Sequence, residues 1–531
     1  MSFLSVTFLG FFGIVLLIYY IVPKKVQWYI LLSGSYIFYL CAGYQTFIFI
    51  LFTTGLTWFA GLWFGKVNEE YIDYLDGHKG LDKYEKRKIR MAYGKKKKGM
   101  LICLLAANFG LLFVLKYFHM IAGIGQLFSD IWHMDQIFAG VQILLPLGIS
   151  YYTFQAAGYS IDVYRNKYPP EKNLAKYALF IAFFPQLVQG PISRYDELEK
   201  QLYQERRFHY RNVTYGFQLM LWGYFKKLVI GVRLTAIVST IMTNPRAYQG
   251  IYLLIASYLG WLELYIDFSS GVDIARGVAQ AFGIELPQNF QQPFFAESVG
   301  EFWRRWHISL NNWWRDYIFY PLTLSKAFNH IGKFFKTHFS SELGKKMPVF
   351  FALIIVRVLN SLWHGANSVY LVSGIYHGIL VGMSFLMEQH FEKMNQMLHI
   401  HTQSRGWKIF KIWRTYTLLS VPRIMNYCSG MKDAWKNIRY LFAQWNVWIL
   451  FDGSFYETGI KREEICLVIL ALVVVFAVDY SNEKGRAVRD RIAGCGLMTR
   501  WLIYYALIFG ILIFGAYGAG YDAADFMYAN F

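Results

Sequence analysis

The chain has 531 residues, of which 56% are apolar, 19% aromatic and only 16% charged, against about 25% charged residues in ordinary globular proteins. So oily a composition excludes an ordinary soluble enzyme and reads as an integral membrane protein. The formal net charge of +19 does not point to nucleic acid, because the basic residues flank apolar stretches and form no soluble basic domain.

Crossing a bilayer takes roughly 20 apolar residues. Candidate spans lie at about 3–22, 27–42, 45–65, 99–119, 136–158, 213–241, 249–268, 350–363, 367–388, 407–421, 463–480 and 500–518. The first carries no Lys or Arg before Lys24-Lys25 and is expected as a retained span, with the N-terminus outside. Residues 66–98 hold Lys66, Lys79, Lys83, Lys86, Arg87, Lys88, Arg90 and Lys95 to Lys98, the mark of a short cytoplasmic loop facing anionic membrane lipids. The piece from Leu174 to Leu187 is too short to cross and has basic residues on both sides, so it is expected to be re-entrant. Its polar Gln186, Gln189 and Pro191 then call for a protein-lined or watery cavity, a funnel opening to the cytoplasm near Pro185 to Arg194.

Residues 282–348, punctuated by Pro287, Pro293 and Pro321, are expected as amphipathic or re-entrant helices, and 389–445 as an insert of surface helices. The fold class expected is an all-α polytopic integral membrane protein, with about 11 to 13 transmembrane or re-entrant helices. It forms a single membrane-embedded domain: a core at 1–390, a polar insert at 391–460, and C-terminal spans and tail at 461–531. Cys41, Cys103, Cys428, Cys466 and Cys495 show no CxxC spacing, so neither a disulfide framework nor a metal site is indicated and each is expected as a buried thiol.

Two histidines stand out from this apolar background. His307 lies in Glu301-Phe302-Trp303-Arg304-Arg305-Trp306-His307-Ile308-Ser309, and His364 in Ser361-Leu362-Trp363-His364-Gly365-Ala366. Imidazole titrates closest to neutrality and can move a proton from a hydroxyl to a leaving group. An ionisable residue deep in a membrane segment is a functional candidate by default; the plainer alternative is a neutral histidine bonded to a carbonyl. Small residues after His364 would let a backbone or a slender acyl chain approach. Arg304 and Arg305 look more like phosphate partners than buried pairs, and Trp303 and Trp306 flank them. Asp267 and Asp273 could orient a histidine, with ion pairing to Arg276 or Arg304 as the simpler reading.

Several strings together resemble the membrane-bound O-acyltransferase superfamily, in its bacterial branch of alginate O-acetyltransferases and D-alanyl-lipoteichoic acid proteins. They are Leu145-Pro146-Leu147-Gly148-Ile149-Ser150-Tyr151-Tyr152-Thr153-Phe154-Gln155, Phe184-Pro185-Gln186-Leu187-Val188-Gln189-Gly190-Pro191-Ile192, Tyr265-Ile266-Asp267-Phe268-Ser269, Leu286-Pro287-Gln288-Asn289-Phe290 and both histidine motifs. The resemblance implies that His364 is the catalytic histidine and His307 the second family histidine. Both would line a tunnel, together with Gln186, Gln189, Pro191, Asp267 and Trp363. It implies a cytoplasmic acyl thioester donor such as acetyl-CoA, with no tightly bound cofactor. The acceptor would be a cell-surface polysaccharide or an extracytoplasmic SGNH-type acetyltransferase partner; D-alanyl transfer to teichoic acid is the runner-up, and a non-enzymatic channel or transporter the alternative from hydropathy. Ser420-Val421-Pro422-Arg423-Ile424-Met425-Asn426 departs from the family pattern. The ending Phe526-Met527-Tyr528-Ala529-Asn530-Phe531 resembles a Phe-x-Tyr-x-x-Phe terminus of this branch, which implies Tyr528 as an acyl carrier, reached through flexible Gly518 and Gly520; an interfacial aromatic anchor is the other reading.

Overall fold

The computed structural model describes residues 1–132, 146–365, 367–517 and 526, with side chains described as far as residue 117 in the first stretch. The described chain is helical, and its one isolated β-bridge joins Phe290 to Trp306. Among the described residues, seven helices are long and apolar enough to cross a membrane: Tyr44–Gly77, Lys83–Tyr117, Ile251–Ala281, Ser341–His364, Ser368–Leu386, Arg462–Glu483 and Leu497–Phe514. Val6–Ile21 is a shorter apolar helix. Along Arg462–Glu483 the side chains of Ile469, Leu470, Val473 and Phe476 are exposed, which is the dress of a helix whose solvent is hydrocarbon. The chain is an all-α multi-pass membrane protein.

Each expected span holds a helix, with instructive differences in extent. The basic stretch 66–98 is no loop: Phe47–Gly77 and the helix beginning at Lys83 run into it, leaving a turn at 78–82. Lys, Arg and Glu are good helix formers, so a charged run beyond the membrane simply prolongs both helices. Of the expected span 136–158, the described part belongs to the helix Ile149–Tyr164. The helix ending in His364 starts at Ser341 because Ser340 caps it, its Oγ accepting from Leu343 N at 3.1 Å.

The described residues pack as two compact units that cut across the expected division at 390 and 460. One comprises Met1–Phe217 with Ala275–Pro287, the other Gln218–Ile274 with Gln288–Phe526. In the first, Phe12, Phe38, Phe184 and Tyr19 cluster on one another and on Phe282. The segment expected to be re-entrant is two short helices, Leu174–Ala182 and Phe184–Leu187, neither long enough to cross. Every residue from 177 to 193 is buried, so it lines no open funnel of the kind expected. Gly148 holds a left-handed φ of +66°, and a Cβ there would meet Leu187 O at 2.1 Å, which is why that motif needs glycine.

In the second unit, Ser341–His364 and Ser368–Leu386 form an antiparallel hairpin. Gly374, Gly378 and Gly382 make its contact stripe, where added Cβ atoms would sit 2.9 Å from Val358 Cα, 2.8 Å from Ile354 Cα and 2.7 Å from Phe350 Cδ2. Small residues let two membrane helices touch backbone to backbone. Residues 389–445, expected as surface helices, contribute instead to the core: Leu419, Ile424 and Met425 are buried in its apolar clusters. Of the five cysteines only Cys428 is buried.

A Gly374→Val chain should therefore be overpacked by about 1–3 kcal/mol. Thermal unfolding in detergent would read this as a lowered midpoint, and an unchanged midpoint would show that the hairpin separates at no cost.

Candidate functional site

The second unit is organised around residues 251–274 of the helix Ile251–Ala281, whose Asp267 and Asp273 are both held by lysines. A π-helical turn, Phe225–Gly231, places Lys226 and Lys227 side by side in the core. Lys227 Nζ pairs with Asp267, while Lys226 Nζ donates to Asp273 Oδ2 at 2.8 Å and Ser269 Oγ at 2.7 Å. Of the arginines expected as partners, Arg276 Nε donates to Leu286 O at 3.3 Å, and Arg304 is exposed. Two adjacent lysines in an apolar run were the signal for these pairs, and nothing in their spacing named the acids.

His307 occupies the bend between Val299–Arg305 and Ile308–Trp314, with a left-handed φ of +43°. The chain before it is pinned by antiparallel pairing: Gln291 N donates to Arg305 O at 2.9 Å and Ile308 N to Asn289 O at 3.0 Å. This brings in Asn289, a residue given no role by the sequence although its motif had been singled out. Asn289 Oδ1 lies 3.2 Å from His307 Nδ1 and accepts from Ser309 N at 3.1 Å and Ser309 Oγ at 2.8 Å. An amide oxygen only accepts, so with this assignment Nδ1 carries the proton and Nε2 the lone pair. Phe268 stands edge-on to the imidazole at 4.8 Å. Burial lowers the His307 pKa from 6.5 to about 3, so the ring is neutral at physiological pH.

His364 ends its helix, half-buried, with its ring 4.6 Å from that of Trp363. Gly365 follows because a Cβ there would lie 2.2 Å from the Tyr370 ring; the approach that the small residues permit is made by this aromatic side chain. The His307 and His364 segments are tied by two bonds. Arg357 Nη2 donates to Asn311 Oδ1 at 2.9 Å, and Trp314 Nε1 to Asn360 Oδ1 at 3.0 Å. Residues 357, 360 and 364 follow the i, i+3, i+7 pattern, so His364 shares the helical face that meets the His307 segment.

The remaining expected residues separate. Arg305 is not free for phosphate: Nη1 meets Glu483 Oε2 at 2.6 Å and Nη2 meets Glu301 Oε1 at 2.7 Å. Trp306 is buried between Phe302, Trp261 and Phe290, and Trp303 is partly exposed. Gln186, Gln189 and Pro191 are buried in the first unit. The departing stretch runs from the end of the helix Arg405–Ser420 into the 3₁₀ segment Val421–Tyr427, which buries Arg423 against Glu263, with Tyr427 Oη donating to the same carboxylate at 2.9 Å. Tyr528, Gly518, Gly520 and Ala366 lie outside the described residues. Phe526 is buried, its ring 4.8 Å from Lys227 Nζ.

Residues 165–429 match the model of MBOAT, the membrane-bound O-acyltransferase family. The chain is 29% identical over 373 residues to the probable alginate O-acetylase AlgI of Pseudomonas aeruginosa, an alignment covering 68% of this chain and 65% of the relative. It is 28% identical to the peptidoglycan O-acetyltransferase of Helicobacter pylori, covering 60% and 61%. With the teichoic acid D-alanyltransferase of Bacillus subtilis the identity is 30%, covering 51% and 65%. The chain thus spans under two thirds of the length of these curated relatives.

Two outcomes follow from the geometry. Lys227→Met removes the lysine that pairs with the buried Asp267 carboxylate and should cost about 3–5 kcal/mol, seen as a large fall in the unfolding midpoint that Lys227→Met with Asp267→Leu partly restores. The lowered His307 pKa gives stability that is complete above pH 6.5 and lost as pH falls toward 3. The unfolding midpoint should fall between pH 7 and pH 5, and less steeply in His307→Gln; equal slopes would mean that other groups set the acid sensitivity.

Proposed function

The chain belongs to the membrane-bound O-acyltransferase family, and from that membership we propose that it moves an acyl group, most simply acetyl, from a thioester donor such as acetyl-CoA toward a hydroxyl of a cell-surface polysaccharide. The observation that carries this reading is the pair of family histidine motifs bonded together within one packing unit through Arg357–Asn311 and Trp314–Asn360. The relatives named as polysaccharide or peptidoglycan O-acetylases favour acetyl as the group and a polymer as its destination. The D-alanyltransferase relative supports the second reading, D-alanyl transfer to teichoic acid.

In the proposed step His364 takes the proton of the attacking hydroxyl as its oxygen forms a bond to the thioester carbonyl carbon. The C–S bond breaks, an ester forms, and the thiolate leaves with that proton returned to it from the imidazole. Neutral His307, held by Asn289, keeps the bend beside this helix in one conformation. Donor charge at the entrance is met by exposed Arg304, Arg305 being committed to its carboxylates.

The first acceptor in this reading is Tyr528, whose phenol forms an ester activated for onward transfer to an SGNH-type partner or to the polymer. What supports it is the aromatic ending and the burial of Phe526 two residues earlier.

Mass spectrometry of surface glycans tests the reading, since it distinguishes acetyl from D-alanyl. His364→Ala should lower acylation by about 100 to 10,000-fold while the protein still accumulates in the membrane. Acylation near the wild-type level would remove His364 from the mechanism. Tyr528→Phe should abolish acylation if the phenol carries the group, whereas retained acylation favours direct transfer.

A further inference from the structure

The interior cations of the second unit face carboxylates: Lys226 meets Asp273, Lys227 Asp267, Arg305 Glu301 and Glu483, and Arg423 Glu263. Arg357 differs. Its Nη2 donates to the neutral amide of Asn311, and its guanidinium lies 4.4 Å from the Trp303 ring centroid. Nε and Nη1 are buried and have no hydrogen-bond partner among the described residues. A buried guanidinium that no carboxylate compensates is costly, and an anion arriving from outside relieves it.

Two further nitrogens without partners adjoin it. Trp303 Nε1 and His377 Nδ1 are both buried and unbonded among the described residues, and the two rings stand edge-to-face at 5.4 Å. The helix carrying His377 reaches Arg357 through Gly378, where a Cβ would lie 3.4 Å from Arg357 Cβ. Indole N–H only donates, and a neutral imidazole can present N–H at Nδ1. The cluster thus offers guanidinium, indole and imidazole N–H groups with one positive charge and no carboxylate. Such a set suits a group with several oxygens and a negative charge.

The position of the cluster narrows the ligand. Arg357 stands seven residues, about two turns, before His364. Lys345 and Lys346 mark the other end of the helix, and clustered Lys/Arg mark the cytoplasmic side. A molecule entering from that side passes Arg357 before it reaches His364. Pantetheine-type thioesters have the matching layout, a phosphate at one end, a neutral arm and a thioester at the other.

We propose that Arg357, Trp303 and His377 form a buried site for a phosphate ester, filled by the phosphate of a pantetheine-type acyl donor. The site rests on the thioester reading above, and lies inward of exposed Arg304. Arg357 supplies charge-assisted bonds, Trp303 and His377 supply neutral ones, and together they fix how far the arm extends toward His364.

Calorimetric titration of the full chain in detergent tests the site with three probes: acetyl-phosphopantetheine, acetyl-pantetheine and inorganic phosphate. The wild-type chain should prefer the phosphorylated thioester, and Arg357→Gln should erase that preference with a loss on the order of tenfold or more. Trp303→Phe keeps an aromatic face beside the guanidinium while removing the N–H along with part of the indole, so it should lose a smaller part of the same preference. Equal wild-type affinity for the two thioesters, or wild-type binding by both variants, would overturn the site. Arg357-dependent binding of inorganic phosphate without that of the phosphorylated thioester would overturn the donor assignment and leave a site for free phosphate. Because binding is read without turnover, acylation surviving in His364→Ala would count against the transfer reading and leave this result standing.

Discussion

The burial of Lys226 and Lys227 against Asp273 and Asp267 is the constraint from which the second unit is built. Each ion would be prohibitively costly alone in an apolar interior, and each pair is acceptable only with its geometry fixed. An ordinary α-helical register would turn two adjacent lysines about 100° apart; the π turn at Phe225–Gly231 is where both reach acids on one helix. The helix so clamped carries Phe268, which closes one side of the His307 ring, and Tyr265 and Trp261, which pack against Trp306. The placement of the histidine bend is thus downstream of two ion pairs that never touch it.

Around that clamp the candidate site is an arrangement of neutral hydrogen bonds. One oxygen of Asn289 gathers a ring nitrogen, a backbone N–H and a hydroxyl. Asn311 does the complementary work, its Nδ2 donating to Trp306 O at 2.6 Å and Trp303 O at 2.9 Å while its Oδ1 receives Arg357. A bend with a non-glycine residue at positive φ is strained, and these two amides hold it. Burial then keeps His307 uncharged, which suits a group surrounded by aromatic faces.

Hydropathy located the membrane helices because an amino-acid run of the right length has few other uses. The same reasoning misjudged the ends: charge stopped the count at residue 65, although a charged run prolongs a helix as readily as it ends one. Both histidines were visible as ionisable groups in apolar sequence. Asn289, Lys226, Lys227 and Arg357 were not, for a shared reason. Their roles come from contacts across long sequence separations, which local periodicity does not encode. Arg305 was misread as free for phosphate because its main partner, Glu483, lies 178 residues away. The insert at 389–445 was misread because its mean polarity hides Leu419, Ile424 and Met425, the few residues that enter the core.

The helix that ends in His364 stores its information as spacing. Asn360 and Arg357 dock on the histidine bend, and His364 shares their face only because four and seven residues bring a helix nearly full circle. Adding or removing one residue between Asn360 and His364 would swing the imidazole by about 100° relative to the two docking residues, and would also displace Ser361, which meets Gly374 and Tyr370 of the facing helix. Such a chain would keep its hydropathy and its docking residues, with its histidine aimed at a different wall. In this segment the count of residues is a stricter requirement than most of their identities.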